Sequence, residues 1–393
     1  MLRINNIIQL LLDLLLFVVI VDPTNTILGL KDIVFFLLIM FLLIDHKNLR
    51  LNKNTLFFVV GIYIVFFISL LVGRVTGNTF SNEATFGYLK SFLFLFLFIV
   101  VDYRNINFFR AFIPPCVIIS IIIIFLWFTM NFWPLLEGRI YNIIMSYDNP
   151  TILMGHRNFL SININSVFYK TSPVLIIPFA YYFDIWLNKK GCKNLIFSFL
   201  FFLALMGSGT RANMLSAILV LFILYAVKLK HHKYFYVTML LIILLGSTII
   251  IKKLFKEKED SLFVKKEIYY NIIDEITSNP LTLLFGNGAG SLYDSGKTAH
   301  GVTHISELSY LEIYRMFGLF GGSLIIMLFI FPIYLAQIYK PPNKRAFILG
   351  YIAYLFIGGT NPLLIGSTGF TVLIFAYQFS RNNGVGYKNL YEL

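Results

Sequence analysis

Charged side chains are scarce in this sequence. They make up 13% of its 393 residues, about half of what soluble domains carry, and acidic residues number only 19. With 58% of positions hydrophobic, the chain is excluded from the ordinary soluble class. Its two cysteines, Cys116 inside an apolar run and Cys192 in a short basic loop, lie at different depths and cannot form a disulfide framework. No small-residue cleavage site precedes Asp22-Pro23, so the stretch that follows Arg3, Ile7–Val21, reads as a retained first span and not as a removed signal peptide. No internal repeat of matched length is visible, and the short connections leave no room for a nucleotide-binding βαβ unit of roughly 30 residues.

What is abundant is phenylalanine, 42 residues of it, more than one aqueous core could hide. The solvent for most of the chain is therefore lipid. Apolar runs occur at Ile4–Val21, Ile33–Ile44, Thr55–Val72, Phe86–Val101, Ala111–Phe128, Ser166–Leu187, Leu195–Met206, Met214–Val227, Tyr234–Ile251, Leu308–Tyr339, Ala346–Ile357 and Pro362–Phe379. Several are shorter than the ~20 residues of a straight span, yet together they predict an all-α, polytopic bundle of about 12 transmembrane helices. The net charge of +13 does not point to nucleic acid, because the cations cluster between apolar runs. Arg3, Lys47/Arg50/Lys53, Arg104/Arg110, Lys189/Lys190/Lys193, Lys228/Lys230/Lys233, Lys340/Lys344/Arg345 and Arg381/Lys388 fall in alternate short connections or termini, which marks that side as cytoplasmic. Both termini are then inside, and the two long connections, Thr129–Asn165 and Lys252–Ile305, are external. No ATP or nucleotide sugar is supplied there, so any transferred group arrives already activated on a lipid.

The polar residues crowd into that external side. Ser261–Ser278 places Leu262, Phe263, Tyr269, Ile272, Ile273 and Ile276 at helical spacing against Lys265, Lys266, Glu267 and Asp274, the pattern of an amphipathic helix that lies on the outer interface or packs as a lid; Asn279-Pro280 ends it. Gly286, Gly288 and Gly290 alternate in Leu284-Phe285-Gly286-Asn287-Gly288-Ala289-Gly290, a spacing that lets successive backbone N–H groups converge on an anion. His300, His304 and Glu307 recur at i, i+4 and i+7 and share a face if that stretch is helical. The set is not in His-Glu-x-x-His order and no further ligand is evident, so no metal is expected; Glu307 or His304 suits a general base instead. The run Leu308–Tyr339 is too long for one straight span, so its first part, with Glu312 and Arg315, projects into the outer interface or breaks at Gly318 or Gly321-Gly322. Glu312 and Arg315, an i, i+3 pair, neutralise each other by default. Arg211, on the tight turn Gly207-Ser208-Gly209-Thr210-Arg211, has few structural duties unless an anion meets it, and its fork suits phosphate. Arg139, Arg157, Lys90 and Lys170 are candidates to complete a cationic pocket, with Arg315, Gly286 and Gly288. Asp13, central in the first span, is a functional candidate because a charge in lipid is expensive.

Several stretches, taken in order, resemble the Wzy-type repeat-unit polymerases of bacterial O-antigen and capsular polysaccharide. They are Tyr169-Lys170-Thr171-Ser172-Pro173, Gly207-Ser208-Gly209-Thr210-Arg211-Ala212, Leu284–Gly290, Glu307-Leu308-Ser309-Tyr310-Leu311-Glu312 running into Gly318-Leu319-Phe320-Gly321, and Gly359-Thr360-Asn361-Pro362-Leu363-Leu364. The resemblance implies a multi-pass protein of the cytoplasmic (inner) membrane whose outer loops hold two polyprenyl-diphosphate-linked oligosaccharides. It implies a metal-independent glycosyltransferase without cofactor that moves the growing glycan from its lipid diphosphate onto a hydroxyl of the incoming unit, with a chain-length regulator and a flippase as partners. The family's arginine maps onto Arg211, and the polar residue before the Leu-Glu step onto Glu307. The related O-antigen ligases favour a His-Asn pair where this chain has Glu307-Leu308. Rival expectations are such a ligase, with His304 three residues earlier, a transporter or flippase in which Asp13 couples protons, and a non-catalytic assembly partner.

Overall fold

In hydrocarbon no water can satisfy the backbone, so apolar runs fold into helices that satisfy their own N–H and C=O groups. The computed structural model describes residues 4–44, 53–98, 108–147, 150–159, 162–228, 259–296 and 301–381. The expected span Tyr234–Ile251, His300, and the basic residues Arg3, Lys47, Arg50, Arg104, Lys230, Lys233 and Lys388 lie outside them. Helices α1 (Ile4–Val21), α2 (Lys31–Ile44), α3 (Lys53–Val75) and α4 (Asn82–Leu93, continued by the 3-10 turn Phe94–Leu97) correspond to the first four runs. Then come α5 (Phe108–Phe132), α6 (Pro134–Met145), strands β1 (Ile152–Phe159) and β2 (Ile162–Tyr169), a 3-10 turn at Ser172–Leu175, α7 (Ile176–Lys189), α8 (Cys192–Gly207) and α9 (Arg211–Lys228). The C-terminal part holds α10 (Glu259–Thr277), α11 (Pro280–Phe285), the two-residue strands β3 (Tyr293–Asp294) and β4 (Val302–Thr303), α12 (Ser309–Tyr339), α13 (Lys344–Gly359) and α14 (Ser367–Arg381).

Among the described residues, four helices are long and apolar enough to cross a membrane: Leu56–Val75, Phe108–Phe132, Arg211–Lys228 and Ser309–Tyr339. Asn6–Val21 and Cys192–Gly207 are shorter apolar helices. The chain is thus an all-α, membrane-embedded protein, with two small antiparallel sheets among the described residues. Interdigitated aromatics fill its interior. Phe66, Phe92, Phe317 and Phe370 form one ring-to-ring chain, and Phe112 stacks on Phe375 at 4.3 Å. Leu10, Phe57, Leu71 and Met327 point outward, as lipid-facing positions do.

The sixth expected span is corrected. Its first residues belong to β2, which pairs with β1 from Ile152↔Tyr169 to Phe159↔Ile162, and the helix starts only at Ile176. The stretch Ile162-Asn163-Ile164-Asn165 alternates with period two, which is a strand signal. The long run at 308–339 does break, at Gly318, whose φ of +66° and ψ of −175° lie outside the helical region. The first long external segment is not a bare loop but α6 plus the β1–β2 hairpin.

The connections expected outside meet one another at one end of the bundle. Thr24 and Thr151 hydroxyls lie 2.7 Å apart, Lys31 Nζ donates to the Pro23 carbonyl at 2.7 Å and reaches Ser367 Oγ at 3.4 Å, Ser81 N–H donates to Gly290 at 3.0 Å, and Ser309 Oγ donates to the Asn361 carbonyl. Connections and helix ends expected inside meet likewise: Lys228 Nζ donates to Asn188 at 2.8 Å, and the Phe108 N–H donates to Gln378 at 3.1 Å.

Candidate functional site

Two polar units stand at the end where the long segments gather. The first is built on the α8–α9 turn. Gly209, at φ +65°, packs so closely on β2 that a Cβ there would lie 2.1 Å from the Ser166 side chain; only glycine fits. Asn213 is fully buried and donates through Nδ2 to Ser172 Oγ and Ser208 Oγ, both at 2.9 Å, which locks the start of α9 to the turn after β2. Ser208 in turn donates to the Leu205 carbonyl at 2.7 Å. Arg211 is therefore an exposed side chain at the first position of a helix whose start is held by buried polar bonds. Lys170 follows β2 directly, half-buried, and burial pushes its ammonium below the usual lysine value. Arg157 lies on β1 opposite Ile164, two residues beyond the Gly155↔Ser166 pair. Arg139 is exposed on α6.

The second unit is the segment from α10 into the first turns of α12. Ile268, Ile272 and Ile276 of α10 are buried with Tyr293, against Val264, Leu283, Leu308, Leu311 and Tyr314. The helix expected from periodicity is present and packs on its neighbours through Ile268, Ile272 and Ile276, while Phe263 and Tyr269 of the expected apolar face are exposed. Above this apolar seam lies a buried ionic cluster. Arg315 is fully buried; its Nε donates to Glu312 Oε2 at 2.9 Å and Nη2 to Glu312 Oε1 at 2.7 Å, a two-pronged pair of the strong kind. Nη1 donates to Ser291 Oγ at 2.7 Å and lies 3.6 Å from Glu275 Oε1, and Nη2 reaches the Ser291 carbonyl at 3.2 Å. The Tyr293 ring covers the guanidinium at 4.4 Å.

This geometry corrects three expectations. Arg315 is spent on Glu312, Ser291 and Glu275 and has no face left for a diphosphate. Gly286 and Gly288 do not form an anion cradle either. The Gly286 N–H closes α11 on the Thr282 carbonyl at 2.8 Å, and the N–H groups of Asn287 and Gly288 donate to the carbonyls of Arg315 at 2.8 Å and Met316 at 3.0 Å. Those carbonyls are the ones that the break at Gly318 leaves without a helical partner, and a helix end must be capped somewhere. The glycine loop is the cap of a broken helix. Third, His304 and Glu307 do not share a helical face, because α12 begins only at Ser309 and Val302-Thr303 is extended. Glu307 is exposed and pairs with Lys265 of α10 at 3.4 Å, a solvent-screened contact of little weight. His304 is half-buried; burial pushes its imidazole below the usual value, opposed by the nearby Glu312 carboxylate, and its carbonyl lies 3.5 Å from the Tyr88 hydroxyl.

Lys90 joins neither unit: it pairs with Asp32 at 3.2 Å and lies over the Phe86 ring. Asp13 accepts from Gln9, one turn earlier, at 2.6 Å. Among the described residues no group of His, Cys, Asp or Glu is arranged to hold a metal. Helix α13 ties the two units together, since it packs on α12 and on the 3-10 turn that carries Ser172.

Two residues that the sequence reading passed over carry much of the local order. Asp22, fully buried at the end of α1, accepts from the N–H groups of Thr26 at 3.1 Å, Ile27 at 3.0 Å and Leu28 at 2.6 Å, and thus shapes the first outer turn. Asp22-Pro23 in sequence signals only the end of a span. Glu275, on the expected helix, accepts from Asn287 Nδ2 at 3.0 Å and faces Arg315. Burial raises its carboxyl above the usual range, Arg315 pulling it back and Glu312 adding to the rise.

Fold and site together define a helical membrane protein with a polar, partly buried cap at one end. No protein-family model matches the chain, and no curated protein is significantly similar to it.

Proposed function

We propose that this protein polymerises lipid-linked oligosaccharide repeat units at the outer face of the cytoplasmic membrane, in a twelve-span arrangement with both termini inside. The observation that carries the reading is Arg211: an exposed arginine at the first position of a helix whose start Gly209, Ser166, Asn213 and Ser172 hold in place. A helix N-terminus and an arginine on its first position together favour an anion, and Lys170 follows the strand on which that turn is packed. The meeting of the outer connections at one end, with the basic clusters in the alternate ones, supports the sidedness.

In the reaction proposed, a hydroxyl oxygen of the incoming unit bonds to the anomeric carbon of the growing glycan. The bond from that carbon to the diphosphate oxygen breaks, and the polyprenyl diphosphate leaves with the electron pair. Arg211 holds the negative charge that develops there, a contribution of ~10²–10³ in rate for one preorganised donor. The proton from the attacking hydroxyl goes to Glu307 or His304 of the second unit. Polyprenyl-diphosphate-linked glycans and membrane lipid are the partners this requires. The test is the length of surface glycan on a gel from cells that lack this chain. Single capped repeat units support polymerisation. Loss of all surface glycan supports a ligase or flippase instead and overturns the reading.

A further inference from the structure

Helix α6 is too short to be a span. Its 12 residues, Pro134–Met145, reach about 18 Å at 1.5 Å per residue, against a hydrocarbon core of roughly 30 Å. It nonetheless grows out of a span. On α5, which is long and apolar enough to cross a membrane, Ile118, Ile121, Phe125, Phe128 and Phe132 recur at steps of three and four and are all exposed, so they form one outward stripe. Ile119, Ile123 and Met130 of the same helix are buried. Aromatic rings carry the stripe over the corner between the helices. Phe128 stacks on Phe132 with centroids 4.5 Å apart and meets Trp133 edge-on at 5.7 Å. The Leu136 N–H donates to the Trp133 carbonyl at 3.0 Å, which starts α6 directly on that aromatic corner.

Three sides of α6 can be told apart. Ile140 and Ile144 pack on Met130 of α5, Met154 of β1 and Val167 of β2. Gly138, Asn142 and, at the C-cap, Ser146 follow one another at intervals of four and make a polar, exposed side. Leu136 and Ile143, two turns apart, share the third side, and both are exposed among the described residues, Ile143 at 63%. Arg139, three residues after Leu136 and four before Ile143, flanks that pair and is exposed too. An apolar strip, a cation on its flank, a polar back and a tryptophan at the join to a span are the makeup of a helix that lies in the membrane–water interface. An arginine in that position lays its stem on apolar surface and carries its charge to a phosphate.

We infer that α6 is seated in the leaflet at the hairpin end of the bundle, with Leu136 and Ile143 at the boundary of headgroups and acyl chains and Arg139 against phospholipid phosphates. The partner is the phospholipid of the bilayer itself, because the strip continues the stripe that α5 turns to lipid. The hairpin is thereby held at a fixed depth: β1 and β2 pack on α6 through Met154 and Val167, and Ser166 of β2 bears the Gly209 turn. Helix α6 thus sets the height of Arg211 relative to the phosphates. Such a seat belongs to no particular reaction and holds whether or not a glycan is transferred.

The experiment uses the full chain with Cys192→Ser, which leaves only the buried Cys116. One exposed cysteine is added at a time, as Leu136→Cys, Ile143→Cys, Gly138→Cys or Asn142→Cys, labelled with a small fluorophore and reconstituted into vesicles of phosphatidylcholine and phosphatidylglycerol. Labels at 136 and 143 are expected to be quenched several-fold more strongly by phosphatidylcholine brominated in its acyl chains than labels at 138 and 142, and aqueous iodide is expected to give the reverse order. Arg139→Glu, which repels phosphate, is expected to weaken the lipid quenching at 143, and Arg139→Lys to keep it. Iodide reaching all four positions alike puts α6 in water and overturns the seat. Protection of 136 and 143 from both quenchers means that protein covers the strip, a second copy or another segment of the chain, and overturns it as well. Unchanged lipid quenching in Arg139→Glu overturns the headgroup contact.

Discussion

Asn287 donates its backbone N–H to the carbonyl of Arg315 at 2.8 Å, while its side chain donates to Glu275 at 3.0 Å. One residue thus closes the broken end of α12 and holds the carboxylate that faces the arginine. The break, the glycine loop and the ionic cluster are one construction: the chain turns out of the helix at Gly318, and the loop after α11 supplies the amides that the freed carbonyls need.

That construction makes Gly318 sensitive to any side chain. Its φ of +66° is left-handed, and a Cβ there would meet the backbone of Leu284 and Phe285 at 2.4 Å. Gly318→Ala should destabilise the protein by at least ~2 kcal/mol, from backbone strain and overpacking together. Gly301 has a similar φ of +62° but none of the described residues within 4 Å of where a Cβ would stand, so Gly301→Ala should lose only ~1 kcal/mol. Thermal unfolding in one detergent, compared between the two variants, checks the order.

Removing one side of the buried pair should be far worse than removing both. Arg315→Met leaves Glu312 buried beside Glu275 with nothing to balance either, at a cost of about 3–5 kcal/mol. Adding Glu312→Gln to that variant should return part of the loss, because the uncompensated charge is then gone. A double-mutant cycle on unfolding free energy reads the coupling, and simple additivity would mean that the two groups are not the interacting unit described.

Arg211 should behave in the opposite way, with function affected and stability not. It is exposed, and the bonds that fix its turn come from Asn213, Ser172 and Ser208. Arg211→Ala should shorten surface glycan and lower transfer ~10²–10³-fold with an unfolding temperature close to native. Arg211→Lys should fall well short of restoring polymer length, since a point charge does not replace a two-pronged donor. Normal polymer from Arg211→Lys removes the phosphate role.

The sequence was informative where a single physical quantity decided the outcome. The run at 308–339 exceeds the bilayer, so its first part had either to project into the outer interface or to break at Gly318 or Gly321-Gly322; the structure breaks it at Gly318. The helical period of Ser261–Ser278 was legible, and Ile272 and Ile276 of its apolar stripe are buried, but Phe263 and Tyr269 of that stripe are exposed and Ile268, outside it, is buried. Where the deciding partner came from elsewhere in the chain, local pattern could not choose. Alternating glycines read as an anion cradle or as a tight turn, and the carbonyls that their loop caps belong to Arg315 and Met316, far along the chain. The period-two signal in Ile162–Asn165 was present but fell at the end of the segment read as an external loop, while the second half of the same strand was read as the start of the sixth span. Glu275 looked like one more polar position on a solvated helix face, and only its contact with Arg315 and Asn287 sets it apart.

The pH dependence of stability separates burial from ion pairing at that residue. Burial holds the Glu275 proton in the folded protein above the ordinary value of 4.5, against the pull of Arg315. The unfolded chain therefore loses this proton first as pH rises past 4.5. Over the window from there to the raised folded value the folded state binds the extra proton, and its stability falls with pH. Glu275→Gln cannot ionise, so this part of the slope should vanish. Near pH 4 the variant and the native protein should unfold at similar temperatures, and the variant should become the relatively more stable one as pH rises toward 7. If the difference runs the other way, with the native protein gaining on the variant as pH rises, attraction to Arg315 outweighs desolvation and the carboxylate is charged throughout.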